Sequence, residues 1–455
     1  MRFDRSLYKK LFSIVTPIAF QFLMSSLVTA SDAFMLGFLD QDSLSAVSLA
    51  GQVSFVYSLF FGAFVFGLTV LAAQYWGKGD EKTSGEVLAI TVRYSMLVGL
   101  VFTLATFLAP RQIMMIFTSD EKLISAGAGY LQTVSISFLL AGFTQAYFGI
   151  MKVCDRAKLS SVIGSCSVVL NIILNALLIF GIGGLPRMGI LGAALATLMA
   201  RAFETVMVLI VVARKRCMRL QVMSVFRLNN KSLHRDYWRY TTPLLINQLG
   251  WGGGITMYSV IMGHLGSDAV AANAIGQIVK NIAACFCNGL GVGAGIMIGN
   301  LLGAGKLDQA KEEGGRLVRV SAVSGIVSGL VLLVCSPLVM QFAGHLNEAA
   351  QGYLRFMLYV CCYYMVGKSV NGTVIAGVFC AGGDTRFGLI CDTVNMWCVI
   401  VPLGLLAAFV FKWSVPVVYF LLNLDEFTKM PAEWIHYHKY RWVRNLTNER
   451  STEFA

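Results

Sequence analysis

Apolar residues run along this 455-residue chain in long blocks separated by short polar breaks. LFSIVTPIAFQFLMSSLVTA (11–30), FVYSLFFGAFVFGLTVLAA (55–73) and YSMLVGLVFTLATFLA (94–109) are typical. A bilayer-crossing helix needs about 20 mostly apolar residues, and blocks of that kind fill nearly the whole sequence. They predict twelve spans, centred in 12–36, 44–75, 90–110, 127–151, 158–181, 189–213, 241–265, 269–301, 317–342, 351–379, 387–411 and 413–424, the last one short. Strands of a membrane β-barrel alternate polar and apolar residues over only about 10 positions, and no such alternation is present. The pattern therefore predicts an all-α integral membrane protein. The first block runs too long for a cleaved signal and lacks a small-residue cleavage site, so it is expected to remain as a span.

The pattern also repeats. At an offset of 226 without a gap, Thr16-Pro17 falls on Thr242-Pro243, Gly37 on Gly263, Leu39 on Leu265, Asp42 on Asp268 and Gly67 on Gly293. Gly77 and Gly79 of YWGKGD then meet Gly303 and Gly305 of LLGAGK. Turn and small-residue positions coincide, which hydrophobicity alone would not produce. The expected domains are a six-helix lobe over 1–225 and a second over 226–455 that ends in a cytoplasmic tail, with a basic linker near 214–238. An even number of spans per lobe makes the repeats parallel, an arrangement of transporters whose lobes rock about a central cavity. In GVGAGIMIGNLLGAG (291–305), Gly291, Gly295, Gly299 and Gly303 recur every fourth residue, which allows close helix packing.

Composition agrees with this picture. Hydrophobic residues make up 56% and charged residues 13% of the chain, against about 25% charged in soluble proteins. The net charge of +12 invites a nucleic-acid reading, but its distribution argues otherwise. Basic residues cluster at the N-terminus (Arg2, Arg5, Lys9, Lys10) and after the second, fourth and sixth spans (Lys78, Lys82; Arg156, Lys158; Arg214, Lys215, Arg216, Arg219). They recur after the eighth span (Lys306, Lys311, Arg316, Arg319) and in the tail (Lys439, Arg441, Arg444). Enrichment in alternate loops is the positive-inside pattern; it places both termini in the cytoplasm and gives no ground for a nucleic-acid partner. The eleven cysteines show no metal spacing, and those inside spans behave as small hydrophobes, so no disulfide framework is expected.

Within LVTASDAFMLGFL (27–39) one carboxylate, Asp32, interrupts the first span, and its repeat equivalent is Tyr258. The scaffold is duplicated and the acid is not. A carboxylate at depth costs several kcal/mol unless it is paired, hydrated or protonated, so Asp32 is a functional candidate. The alternative is an acid reaching the outer interface, for which aspartate is short. By helical rise Asp32 lies about 8 Å below Gly37, Asn175 about 9 Å and Asn171 about 15 Å below Gly181, and Thr197 about 12 Å below Gly189. The three glycines border loops that the charge pattern puts outside. One acid, two amides spaced i and i+4 on one helix face and a hydroxyl thus converge on the outer half of the N-terminal lobe. Oxygen ligands suit a hard cation such as Na⁺, and the acid alone could take H⁺. Singly, each amide or hydroxyl is more often interhelical glue.

These residues carry a resemblance. The chain resembles the multidrug and toxic compound extrusion (MATE) family over essentially its full length, through SDAFMLGFL closing the first span and AAQYWGKGD after the second. LNIILNALLIFGIGGLPRMGILGAALAT through the fifth and sixth spans and AGGDTRFG (381–388) add to it. The resemblance implies a V of two lobes that exports amphipathic, cationic organic compounds in exchange for inward Na⁺ or H⁺. It implies that Asp32 is the coupling acid, with Asn171 and Thr197 matching family motif positions. Three positions depart. Asn175 stands where several members carry aspartate, the seventh span offers Asn247 and Gln248 in place of an acid, and Cys380 replaces a common arginine.

Other polar residues sit within spans. Lys280 lies about 16 Å into the eighth span by helical rise and should line the cavity, with Asn247 and Gln248 as further substrate contacts, or meet an acid. Lys368 and Asp392, at similar inner depths, are expected to pair with each other. Arg201 and Glu204 form a local i, i+3 pair. His436 and His438 are expected in a solvated basic tail. No P-loop, dinucleotide fingerprint or HExxH motif is present, and no acid–base or nucleophile–base pair suggests an enzyme. The expected protein is a monomeric multi-pass transporter of the plasma membrane that needs no cofactor beyond its coupling ion. Its partners are a small-molecule substrate and the lipid bilayer. The alternative is a lipid-linked oligosaccharide flippase with a cationic cavity around Lys280 and Lys368.

Overall fold

The computed structural model describes residues 5–39, 41–184, 186–214, 217–218, 225, 230–344 and 346–447. Arg2, Lys215, Arg216 and Arg219 of the basic segments, and position 226 at the expected lobe boundary, lie outside the described residues.

The described chain is helical: α1 (Arg5–Gly37), α2 (Gln41–Lys78), α3 (Glu81–Leu108), a short α4 (Pro110–Phe117), α5 (Glu121–Val153), α6 (Ala157–Phe180) and α7 (Ile190–Ala213). The second half contains α8 (Lys231–His264), α9 (Ser267–Gly303), α10 (Leu307–Phe342) and α11 (Glu348–Asn371), which continues as a π-helix over Gly372–Phe379. Then come α12 (Thr385–Val410), α13 (Val415–Leu422), α14 (Asp425–Thr428) and α15 (Met430–His438). Local chemistry sets several of the ends. The Asp120 carboxylate accepts from the Lys122 N–H at 2.9 Å and starts α5; the Asn347 side chain accepts from the Ala350 N–H at 2.8 Å and starts α11. Both satisfy orphan first-turn donors.

Among the described residues nine helices are long and apolar enough to cross a membrane. Three helical runs complete the twelve: α8, α11 with its π-helical extension, and α13 to α15. Asn247 and Gln248 lie on the first of these runs, Lys368 on the second, and Asp425, Glu426 and Lys429 on the third. Apolar exposure marks the lipid-facing sides. On α10, Val323, Val327, Leu330, Val334 and Leu338 are all exposed, at the spacing of one helix face.

The last span differs from expectation. It is not confined to 413–424 but continues through Asp425, Glu426 and Lys429 to His438. Of the two histidines at its end His438 is exposed as expected, but His436 is buried: its Nε2 and Asp384 Oδ2 are 2.6 Å apart, and the imidazole stacks on Phe387 at 3.7 Å between centroids. The segment beyond is also fixed. The fully buried Gln74 donates to the Ala381 carbonyl at 2.7 Å and accepts from the Leu446 N–H at 2.7 Å. One amide thus joins AAQYWGKGD, AGGDTRFG and the C-terminal segment.

Two compact units account for the contacts. One comprises Met1–Phe22, Ala73–Asp80 and Arg239–Ala455; the other comprises Leu23–Ala72 and Glu81–Trp238. We call them the C-unit and the N-unit. The C-unit is built on Ile261, Leu354, Met357, Leu358, Val418 and Leu422. The N-unit contains Tyr57, whose hydroxyl donates to the Phe138 carbonyl at 2.6 Å. Within the C-unit the glycine row of α9 packs closely. A Cβ on Gly291 would meet the Gly372 carbonyl at 2.8 Å, and one on Gly299 would meet the Ala73 Cβ at 2.7 Å. Farther along, Gly303 lies against the backbone of Gln74 and Gly77 against the backbone of Asn300. These contacts are reciprocal under the sequence repeat, as a pseudo-twofold axis requires.

Candidate functional site

Asp32 sits five residues before the end of α1. Asn171 and Asn175 lie one turn apart on α6, which closes at Gly181 with φ 72°, a conformation a Cβ disfavours. The Asn175 amide is the hub of the site. Its Nδ2 donates to Asp32 Oδ1 at 2.6 Å and to Asn171 Oδ1 at 3.1 Å. Both asparagines are buried. The acid is therefore engaged by α6.

The fourth candidate joins indirectly. The Thr197 hydroxyl donates to the Ala193 carbonyl at 3.0 Å. It is also within hydrogen-bond reach of Tyr130 on α5, which is close enough to Asp32 to feel its charge. Tyr130 is the residue that sequence reasoning missed. It lies nine residues into α5 from Glu121, about 13 Å by helical rise, the same depth band as Asp32, Asn171, Asn175 and Thr197. Applying the depth comparison to tyrosine hydroxyls as well would have found it.

The donor set fits a small hard cation or a proton. Asn175 Oδ1 is buried with no hydrogen-bond partner among the described residues, and it belongs to the same amide that holds Asp32. A buried polar oxygen without a partner is costly. A carboxylate with amide oxygens beside it is the chemistry that binds Na⁺, and a lone carboxylate in a dry site also takes H⁺.

The C-unit contains a different arrangement. Tyr258, the repeat equivalent of Asp32, has a buried hydroxyl without a partner among the described residues and lies in the field of Asp425, Glu426 and Lys429. Lys429 Nζ is 3.0 Å from Asp392 Oδ1 and 2.9 Å from Glu426 Oε2. Lys368 Nζ is 3.5 Å from Glu426 Oε1, and Asn371 Nδ2 donates to Glu426 Oε2 at 2.8 Å. The expected pairing of Lys368 with Asp392 is thus incorrect. Each takes its counter-ion from the last span, because that span continues inward past Leu424 and brings its own acid and base.

The remaining candidates also lie in this unit. Asn247 Nδ2 donates to Asp392 Oδ2 at 3.0 Å. Among the described residues Lys280 meets no acid directly: its Nζ donates to Asn423 Oδ1 at 2.7 Å and stands 3.6 Å from the centre of the Tyr364 ring, a cation–π contact. Gln248, beside Asn247 on α8, is half-buried. In the N-unit, Arg201 and Glu204 form the expected local pair at 2.8 Å.

Comparison with known proteins gives a consistent result. A sequence model of the MatE family matches residues 17–177 and again 243–406, and the two matches start at Pro17 and Pro243, which the repeat had paired. The "Uncharacterized transporter YisQ" of Bacillus subtilis is 20% identical, with 95% of each chain covered. The "Probable multidrug resistance protein NorM" of Thermotoga maritima is 21% identical, covering 98% of this chain and 96% of the relative. Among solved structures, a multidrug resistance MATE family transporter of the MOP superfamily, in an outward-facing conformation, superposes with a TM-score of 0.86 at 16% identity over 96% of each chain. At that identity the superposition speaks to the fold alone: twelve transmembrane helices in two pseudo-symmetric six-helix lobes.

Proposed function

The chain belongs to the MatE family of membrane transporters, and from that premise we propose that it is a secondary-active antiporter of the plasma membrane. It exports amphipathic, cationic organic compounds in exchange for inward Na⁺ or H⁺, as a monomer with both termini in the cytoplasm. The observation that carries this reading is Asp32, an acid within the first span held by a neutral amide whose own oxygen has no partner among the described residues.

The cycle follows from differential affinity. A cation entering from outside binds Asp32 and the Asn175 and Asn171 oxygens, and Tyr130 and Thr197 adjust with it. The loaded arrangement holds substrate less well, so release outside and a return to the inward-facing state are favoured. The flippase alternative draws no support from its own key residues. Lys280 is engaged by Asn423 and Tyr364, and Lys368 by Glu426.

The test is substrate efflux from proteoliposomes with a Na⁺ gradient and a pH gradient imposed separately. Efflux driven by one of them names the coupling ion. Efflux indifferent to both would overturn the antiport reading.

A further inference from the structure

Away from Asp32, the C-unit encloses an apolar cavity of about 320 Å³ between α10, α11 with its π-helical extension, and α15. Val318, Val370, Val374, Met430 and Trp434 form its walls. Glu433 and Tyr437 also border it, but they are only 3% and 6% exposed, so the surface a ligand would touch is hydrocarbon. Trp434 and Ile435 are each 60% exposed, which turns this side of the unit toward lipid.

One end of the cavity is basic. Val318 on its wall is followed by Arg319, and from there α10 carries no further charge up to Phe342. Arg319 thus stands where α10 passes from its charged first turns into hydrocarbon. On α15 the exposed Trp434 and Ile435 give way to Lys439 and Arg441, the same transition, with a tryptophan at the boundary where such rings collect. The two ends meet. A Cβ on Gly314 of α10 would lie 3.1 Å from the Tyr437 hydroxyl, Lys311 Nζ is 5.6 Å from the centre of the Tyr440 ring, and Arg319 is close enough to Tyr437 for its charge to be felt there. These cations differ in what they already hold. Arg316 is taken by Glu312 at 2.6 Å and Lys311 by Asp308 at 3.6 Å. Among the described residues no acid lies within 4 Å of Arg319, Lys439 or Arg441, and all three are exposed.

An apolar slot beneath a rim of unpaired cations has the polarity of a negatively charged lipid. We propose that the cavity holds one acyl chain of an anionic phospholipid, with its phosphate on Arg319 and with Lys439 and Arg441 adding to the positive field. A zwitterionic phospholipid offers the same chain but carries its own cation, so it is held less tightly. The site uses no residue of the Asp32 group and is tested by binding alone, so it stands or falls independently of the transport cycle proposed above.

The probe is phosphatidylglycerol brominated along one acyl chain, titrated into the full-length protein in dodecylmaltoside, with phosphatidylcholine of the same chains as the comparison. Bromine quenches tryptophan at short range, and the difference from Trp434→Phe isolates the share of Trp434. The expected result is saturable quenching of Trp434 at lower concentrations of phosphatidylglycerol than of phosphatidylcholine, a preference that added salt reduces. Arg319→Gln should weaken phosphatidylglycerol binding about fivefold and leave phosphatidylcholine binding unchanged. Val370→Phe, which narrows the cavity and leaves the cations in place, should weaken binding of both lipids; Val374→Leu, a smaller intrusion, takes its place if that variant does not fold. Inorganic phosphate at the same concentration should not displace the lipid, because burial of the chain supplies much of the affinity. Three results would overturn the proposal. They are equal quenching by the two lipids, which marks a lipid annulus only, phosphatidylglycerol binding undiminished in Arg319→Gln or in the cavity-narrowing variant, or displacement by phosphate alone, which marks a site for a free anion.

Discussion

Asp32 in the N-unit and Tyr258 in the C-unit occupy the same place in a duplicated scaffold, yet their surroundings differ in kind. Asp32 is held by the neutral amide of Asn175, which also donates to Asn171, and Tyr130 lies nearby. Around Tyr258 the neighbours are charged, and Lys429 is bonded to both Asp392 and Glu426. A neutral shell leaves an acid able to exchange its counter-charge, because nothing fixed cancels it. A shell of opposite charges holds its members in place, since removing one strands another in low dielectric. The comparison suggests a division of labour, with an exchangeable charge in one lobe and a locked lattice in the other.

The largest effect should come from breaking the lattice. Lys429→Met leaves Asp392 and Glu426 without their shared base, and loss of one partner of a buried pair costs about 3–5 kcal/mol. The expected outcome is little folded protein by fluorescence-detected size exclusion, with recovery in Lys429→Met/Asp392→Leu. Normal folding of the single variant would show that the lattice does not hold the C-unit. Asp32→Asn should do the opposite. Gradient-driven efflux should fall to the level without a gradient while the thermal midpoint is preserved; undiminished efflux would remove Asp32 from coupling.

Intermediate effects probe each region more finely. Asn175→Asp places a second acid beside Asp32, and two neighbouring carboxylates do not easily both ionise. The midpoint of the pH profile of transport should move to higher pH, and an unchanged profile would count against Asn175 being the hub. Gly303→Ala presses a methyl group on the Gln74 backbone and should cost about 1–3 kcal/mol, the range for overpacking, read as a lowered unfolding temperature. The smallest effect is expected at the Arg111–Glu121 pair, whose side chains are 51% and 68% exposed. Arg111→Gln should change stability by about 0.5 kcal/mol.

Much of this was legible along the chain. Block length gave the spans, and offset matching gave the repeat, down to the glycines at 77 and 303 that pack reciprocally on Asn300 and Gln74. Depth counted from bordering glycines brought Asp32, Asn171 and Asn175 together, because a helix converts sequence number into height. The same count applied to Tyr130 would have completed the group. It failed for Lys368 and Asp392: both were at the right height, but height does not say which way a side chain points around its helix. The last span was also misjudged, since Asp425, Glu426 and Lys429 read as tail residues until their mutual neutralisation is seen.

The sequence by itself determined a membrane protein of two repeated halves with an unduplicated acid in the first, because hydropathy, period and offset are properties of local order along the chain. Only the tertiary structure decided which base meets which acid, and that Asn175 leaves one oxygen without a partner among the described residues. Those facts depend on the rotation and register of helices far apart in the chain, fixed by the packing of many side chains at once.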